Sequence, residues 1–107
     1  MKINKDFTVT AADGRIVYTT GPTVPMSVKL RAMTLFLNGN APDEDKDFEV
    51  SLNDEVIIAG RGKPGERREL ETPLRLEAGK QIFKLTSGPF KDGEVVSGEV
   101  EIEVSFF

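Results

Sequence analysis

The stretch Asp47-Phe48-Glu49-Val50-Ser51-Leu52-Asn53-Asp54-Glu55-Val56-Ile57-Ile58 decides the fold. Phe48, Val50 and Leu52 alternate with Asp47, Glu49 and Ser51, and a period of two residues puts the apolar set on one face of a strand and the polar set on the other. Asn53-Asp54 then reads as a tight turn, and Val56-Ile57-Ile58 resumes a β-branched run. Helical periodicity is hard to find anywhere else in the chain.

Working outward, the same alternation recurs between breaks of Gly, Pro, Asn and Asp. Phe7 and Val9 share a face, Asp13-Gly14 interrupts, and residues 15–20 run on to Gly21-Pro22, so the first two strands read as a hairpin. In residues 25–37, Val28, Leu30 and Ala32 hold one apolar phase and Met33, Leu35 and Leu37 the other. That slip calls for a bulge or a crossing between sheets. Residues 60–65 hold three Gly and one Pro and read as irregular. Leu70, Leu74 and Leu76 follow, with Pro73 marking an edge strand or a sheet-to-sheet step. Residues 78–80 read as a turn, 81–87 as a strand centred on Phe83 and Leu85, and 88–93 as another turn. In the last run Val100, Ile102, Val104 and Phe106 face one way while Glu99, Glu101, Glu103 and Ser105 face the other.

About eight short strands spaced roughly 8 to 12 residues apart predict an all-β fold, an antiparallel β-sandwich of jelly-roll-like or Ig-like type. Residues 1–107 form a single domain on this reading, with no repeat or linker. Its expected core comprises Phe7, Val9, Val17, Leu35, Phe48, Val50, Leu52, Leu76, Phe83, Leu85, Val100, Ile102 and Val104.

Composition narrows the chemistry. The 107 residues include 14 Lys and Arg, 18 Asp and Glu, and no His, Cys or Trp. Nucleophile systems built on His or Cys are excluded, as are the usual zinc, haem and iron-sulfur ligand sets. A net charge of −4 argues against a nucleic-acid partner, which needs dense Lys and Arg. The charged start Met1-Lys2-Ile3-Asn4-Lys5-Asp6 lacks the apolar run of an export signal, and no stretch approaches a membrane-spanning helix. The chain is therefore expected to be made in the cytoplasm, with no membrane partner and no cofactor.

Two charged segments stand out. Asp43, Asp45 and Asp47 recur at the spacing of calcium-loop oxygens, but Phe48 stands where that loop needs Gly and Asp54 where it needs Glu, so a solvated acidic loop is the preferred reading. Gly60-Arg61-Gly62-Lys63-Pro64-Gly65-Glu66-Arg67-Arg68 has the outer glycine spacing of a phosphate loop, yet Glu66 and Arg67 replace its Lys and Ser or Thr. Arg61, Lys63, Arg67 and Arg68 suit an acidic surface on another protein instead. The opposition of the two loops suits head-to-tail packing of copies into a homo-oligomer. No carboxylate pair is singled out, and enzyme activity is not expected. A carbohydrate-binding or adhesion module is the alternative, weakened by the absence of Trp and the single Tyr for stacking on sugars. Phe90, in a Gly-Pro turn, and Phe106 and Phe107, at the end of the chain, suit protein contact better.

The segment Val28-Lys29-Leu30-Arg31-Ala32-Met33-Thr34-Leu35-Phe36-Leu37-Asn38, followed by Ala41-Pro42-Asp43-Glu44-Asp45-Lys46-Asp47-Phe48-Glu49-Val50-Ser51-Leu52, resembles small β-sandwich structural proteins of tailed-bacteriophage virions. In those proteins an apolar strand ending in Leu-Asn leads through a short acidic loop into an Asp-Phe-x-Val-x-Leu strand. After Leu52 this chain departs from them, with Glu55-Val56-Ile57-Ile58 where Tyr-rich residues usually follow. The resemblance implies a virion component: a capsid decoration or cement protein, or a head-fibre or tail-associated part. Its partners would be capsid or tail proteins of the same virion.

Overall fold

The computed structural model describes residues 1–38 and 44–106. Its strands are β1 (Lys2–Thr10), β2 (Ile16–Thr20), β3 (Thr23–Val24), β4 (Val28–Leu37), β5 (Lys46–Leu52), β6 (Glu55–Gly62), β7 (Arg67–Leu76), β8 (Gly79–Lys80), β9 (Phe83–Gly88) and β10 (Val95–Ser105). No described residue is helical.

The turn at Asn53 and Asp54 is the tip from which the whole fold is built. Both residues take left-handed φ, 48° and 71°, as a two-residue turn between twisted strands requires. From that tip the two halves of the chain pair backwards: β5 with β6, β4 with β7, β3 with β8, β2 with β9 and β1 with β10, all antiparallel. The long ribbon then rolls up, so that β4 gains β10 and β5 gains β9 as second neighbours. Two four-stranded sheets result, ordered β1-β10-β4-β7 and β2-β9-β5-β6, with β3-β8 as a small separate ribbon. A double-sheet sandwich made by rolling one antiparallel ribbon is a jelly roll. Of the two sandwich types expected from sequence, this is the one the chain adopts.

Rolling corrects the first predicted hairpin. Asp13 and Gly14 do make a tight turn with φ of 54° and 76°, closed by the bridge Ala12 to Arg15. Beyond it β1 and β2 part, each to its own sheet, because Phe7 and Ile16 can then face one core from opposite sides. Phe7 meets Tyr18 across the gap with ring centroids 5.2 Å apart. The phase of β2 follows from this. Ile16 is fully buried, and Val17, expected in the core, is 50% exposed on the outer face. Val9 is half-buried, and the other expected core residues are buried together with Val28, Leu30, Met33 and Val96.

The slip in β4 is a bulge at Arg31. Leu30 faces Val104 and Ala32 faces Glu103 on β10, while on β7 Leu30 meets Leu74 and Ala32 meets Glu69. The four residues from Leu70 to Pro73 thus stand against Arg31 alone, and β7 is an edge strand, as Pro73 suggested. Residues 60–62 correct the irregular reading: β6 continues through them beside Phe48, Asp47 and Lys46. Gly79 and Lys80, read as part of a turn, form β8. Phe106, expected to continue the inner face of β10, lies beyond its last residue and is exposed.

Candidate protein-contact surface

The connections through residues 11–15, 63–66 and 89–94, together with the entry to β5 at Glu44 and Asp45, lie at one end of the sandwich, where β1 and β9 finish and β5 and β10 begin. Lys2 pairs with Glu103 at the opposite end, which carries Met1 and Phe106. The structure therefore separates Phe106 from Phe90 and from Lys63 at the tip of the basic segment. Phe107 and Asp43 lie outside the described residues.

Backbone hydrogen bonds latch the connections to one another. Ala11 donates to Glu94 O at 2.8 Å and accepts from Gly93 N at 2.8 Å; Gly14 O accepts from Phe90 N at 2.8 Å, and Gly14 N donates to Asp92 Oδ1 at 2.7 Å. On the other side Gly65 N reaches Leu35 O on β4 at 2.7 Å, fixing the tip between β6 and β7. That tip joins two sheets and is not a hairpin loop.

Asp47 is held, not free. Arg15 Nη1 donates to its Oδ2 at 2.8 Å, Arg15 Nη2 lies 2.7 Å from its Oδ1, and Nη2 also reaches Thr86 Oγ1 at 3.3 Å. The hydrogen bond from Arg15 keeps the Asp47 carboxyl below the usual carboxylate range against the opposing effect of partial burial, and the positive charge of Arg61 adds to it. The Arg15 guanidinium is correspondingly raised by the same hydrogen bond. Asp47 Oδ1 is buried and meets the Arg15 charge without a hydrogen bond. Asp45 is exposed beside it, and among the described residues no group of three or more acidic side chains is arranged to hold a metal ion.

Lys46 is the residue that reading the segment as a wet acidic loop missed. Its side chain is only 5% exposed; Nζ bonds Pro89 O, lies 3.3 Å from Glu44 Oε2 and sits 4.2 Å from the centre of the Phe90 ring. The signal was present, since Lys46 falls in phase with Phe48, Val50 and Leu52 on the inward face. Phe90 is half-buried by this stacking and packs on the core.

The four basic residues divide. Arg67 faces outward from β7 and reaches across β4 to β10, with Nε 2.9 Å from Glu103 Oε2 and Nη2 3.1 Å from Oε1, while Nη1 meets Glu69 at 3.1 Å. Beneath it Ala32 and Thr34 are buried although they lie on an outer face. The pairing raises Arg67 and lowers Glu103 from their ordinary values. Arg68 faces inward instead, its guanidinium carbon 4.8 Å from the centre of the Phe48 ring. A Cβ on Gly60 would stand 3.6 Å from Arg68 Nη1, and one on Gly62 would stand 3.1 Å from Nη2 and collide with Glu66. Of the three glycines in this segment, Gly62 is the one that makes room for Arg68 and Glu66. Arg61 lies opposite Asp47 in the β5–β6 ladder, so the acidic and basic segments expected as separate poles are neighbours. Lys63 is exposed at the tip.

No protein-family profile matches the chain, and no curated protein matches it either. Among solved structures, dimeric latent PorU from Porphyromonas gingivalis is similar over 97% of this chain at 9% identity and a TM-score of 0.42. The Gx strain of infectious bursal disease virus is similar over 99% at 8% identity and 0.42, and the VP2 subviral particle of that virus over 99% at 11% identity and 0.39. This chain spans about 13% of the first and about 32% of each of the others. With every TM-score under 0.5, the likeness is too loose to carry a role from those proteins to this one.

Proposed function

We propose that the chain is a non-enzymatic structural protein of a bacteriophage virion, a capsid decoration or cement protein or a head-fibre or tail-associated component, acting by protein contact through the latched end of its sandwich. The observation that carries this reading is the mutual latching of residues 11–15 and 89–94 through Ala11 and Gly14, reinforced by Lys46 beneath Phe90. A surface already held in one conformation loses little entropy when it docks, so modest contacts suffice for binding. Lys63 and Lys91 supply exposed positive charge there, and Phe90 a partly covered aromatic face. Surface charge of this kind steers encounter with an acidic lattice. The phage-like segments and a jelly-roll architecture, which serves capsid proteins and lectins alike, support this role.

The experiment is co-sedimentation of the purified protein with undecorated phage capsids and with tails, alongside a glycan array. Saturable binding to one particle and silence on the array is the expected result. Retention of a defined glycan with no particle binding would replace this reading with the carbohydrate-binding or adhesion alternative.

A further inference from the structure

Resting on the reading of this chain as a contact protein, we propose that two copies pair edge to edge through β6. The sandwich has four edge strands: β1 and β7 in one sheet, β2 and β6 in the other. Natural sheets guard their edges with charge, proline, shortness or bulges, since an open edge is a template for another strand. β1 carries Lys2, Lys5 and Asp6, β7 carries Pro73 and its four-residue step against β4, and β2 has only five residues. β6 differs. Over its eight residues its charges, Glu55 and Arg61, stand near the ends; from Val56 to Gly60 it has neither charge nor proline, Val56 is 54% exposed, and the run is interrupted by the bulge at Ile57.

The charges flanking that run identify the occupant. Asp54 and Glu55 stand at the start of β6, and Lys63 and Arg68 stand at its end, with the Arg68 guanidinium beside Gly60 and Gly62 and Arg61 turned to the face it shares with Asp47. An antiparallel two-fold pairing of β6 with β6 of a second copy lays each acidic end beside a basic end, twice over, as an isologous contact requires. Arg68 is the strongest part of this argument. It is half-buried over Phe48 beside Gly60 and Gly62, and among the described residues no carboxylate binds it. A guanidinium so placed favours a carboxylate arriving along the strand edge, and Glu55 of the second copy comes from that direction. Along the same edge, Ile57 and Ile58 are half-buried and line a groove with Leu70, Glu69 and Glu71 of β7.

The test is sedimentation velocity on the full chain from micromolar to millimolar concentration, with amide exchange measured in parallel. Wild type should dimerise with rising concentration while amides of Val56 to Gly62 slow. Glu55→Arg should weaken the dimer at least tenfold, and Glu55→Arg with Arg68→Glu should recover it. A chain that stays monomeric throughout, or a dimer indifferent to Glu55→Arg whose β6 amides exchange independently of concentration, would overturn the proposal. Capsid binding by a strict monomer would overturn this pairing alone, whereas a β6 dimer that ignores every particle would overturn the virion reading alone.

Discussion

Arg15 and Asp47 meet across a strand that neither belongs to: from the residue before β2, Arg15 spans β9 and reaches both carboxylate oxygens of Asp47 on β5, at 2.8 and 2.7 Å. This fork fixes the outer face of the β2-β9-β5-β6 sheet at the end where the connections gather. It also explains why an aspartate at calcium-loop spacing serves the fold.

Arg15→Ala should lower stability by no more than about 1 kcal/mol, because the two side chains are 40% and 42% exposed and solvent screens the pair. Thermal unfolding of the variant measures it. The same change should speed amide exchange in residues 11–15, where the latch begins.

Acid should act through the two forked carboxylates. Asp47 and Glu103 are both lowered by their arginines, so the unfolded chain takes up protons before the folded one does. The stability they contribute is complete above the ordinary carboxylate pKa of about 4 and is lost as pH falls below it through their lowered folded-state values. Urea midpoints against pH should therefore fall on the acid side, and Arg15→Gln with Arg67→Gln should flatten that fall.

In the core, Phe48→Ala should cost about 3 to 5 kcal/mol and Ile102→Ala about 2 to 5 kcal/mol, from lost burial and the cavities left behind. Val17→Ala should be nearly neutral at 50% exposure. Chemical denaturation of the three variants distinguishes the observed phase of β2 from the one expected by alternation alone.

Glycines on the two sheets should respond differently. A Cβ on Gly98 would collide with the backbone oxygen of Phe36 and stand 2.9 Å from the Phe7 ring, so Gly98→Ala should destabilise by about 1 to 3 kcal/mol or more. At Gly60 the nearest atom is the mobile tip of Arg68 at 3.6 Å, and Gly60→Ala should change the unfolding midpoint little.

The fold was legible wherever strands alternate cleanly. Phe48, Val50 and Leu52, the turn at Asn53, and Val100, Ile102 and Val104 stand as their pattern required. What periodicity could not disclose was pairing between distant strands. Asp13-Gly14 looks the same whether its flanks remain a hairpin or part into two sheets, and only the meeting of Phe7 with Tyr18 across the core decides between them. Gly62 misled for a related reason: its role depends on Arg68 arriving from another sheet. At the candidate contact surface the basic residues were visible as a group, but their division into Arg67 outward and Arg68 inward follows from β7 pairing with β4. Lys46 could have been found, because it keeps the inward phase of its strand.

Particle binding by variants at the two ends of the sandwich tests most directly whether the latched end makes the proposed virion contact. Against capsids or tails that bind wild type, Lys63→Glu and Phe90→Ala should each weaken binding about tenfold or more, while Phe106→Ala, at the opposite end, should leave it unchanged. Full binding by both loop-end variants, or loss confined to Phe106→Ala, would contradict the account.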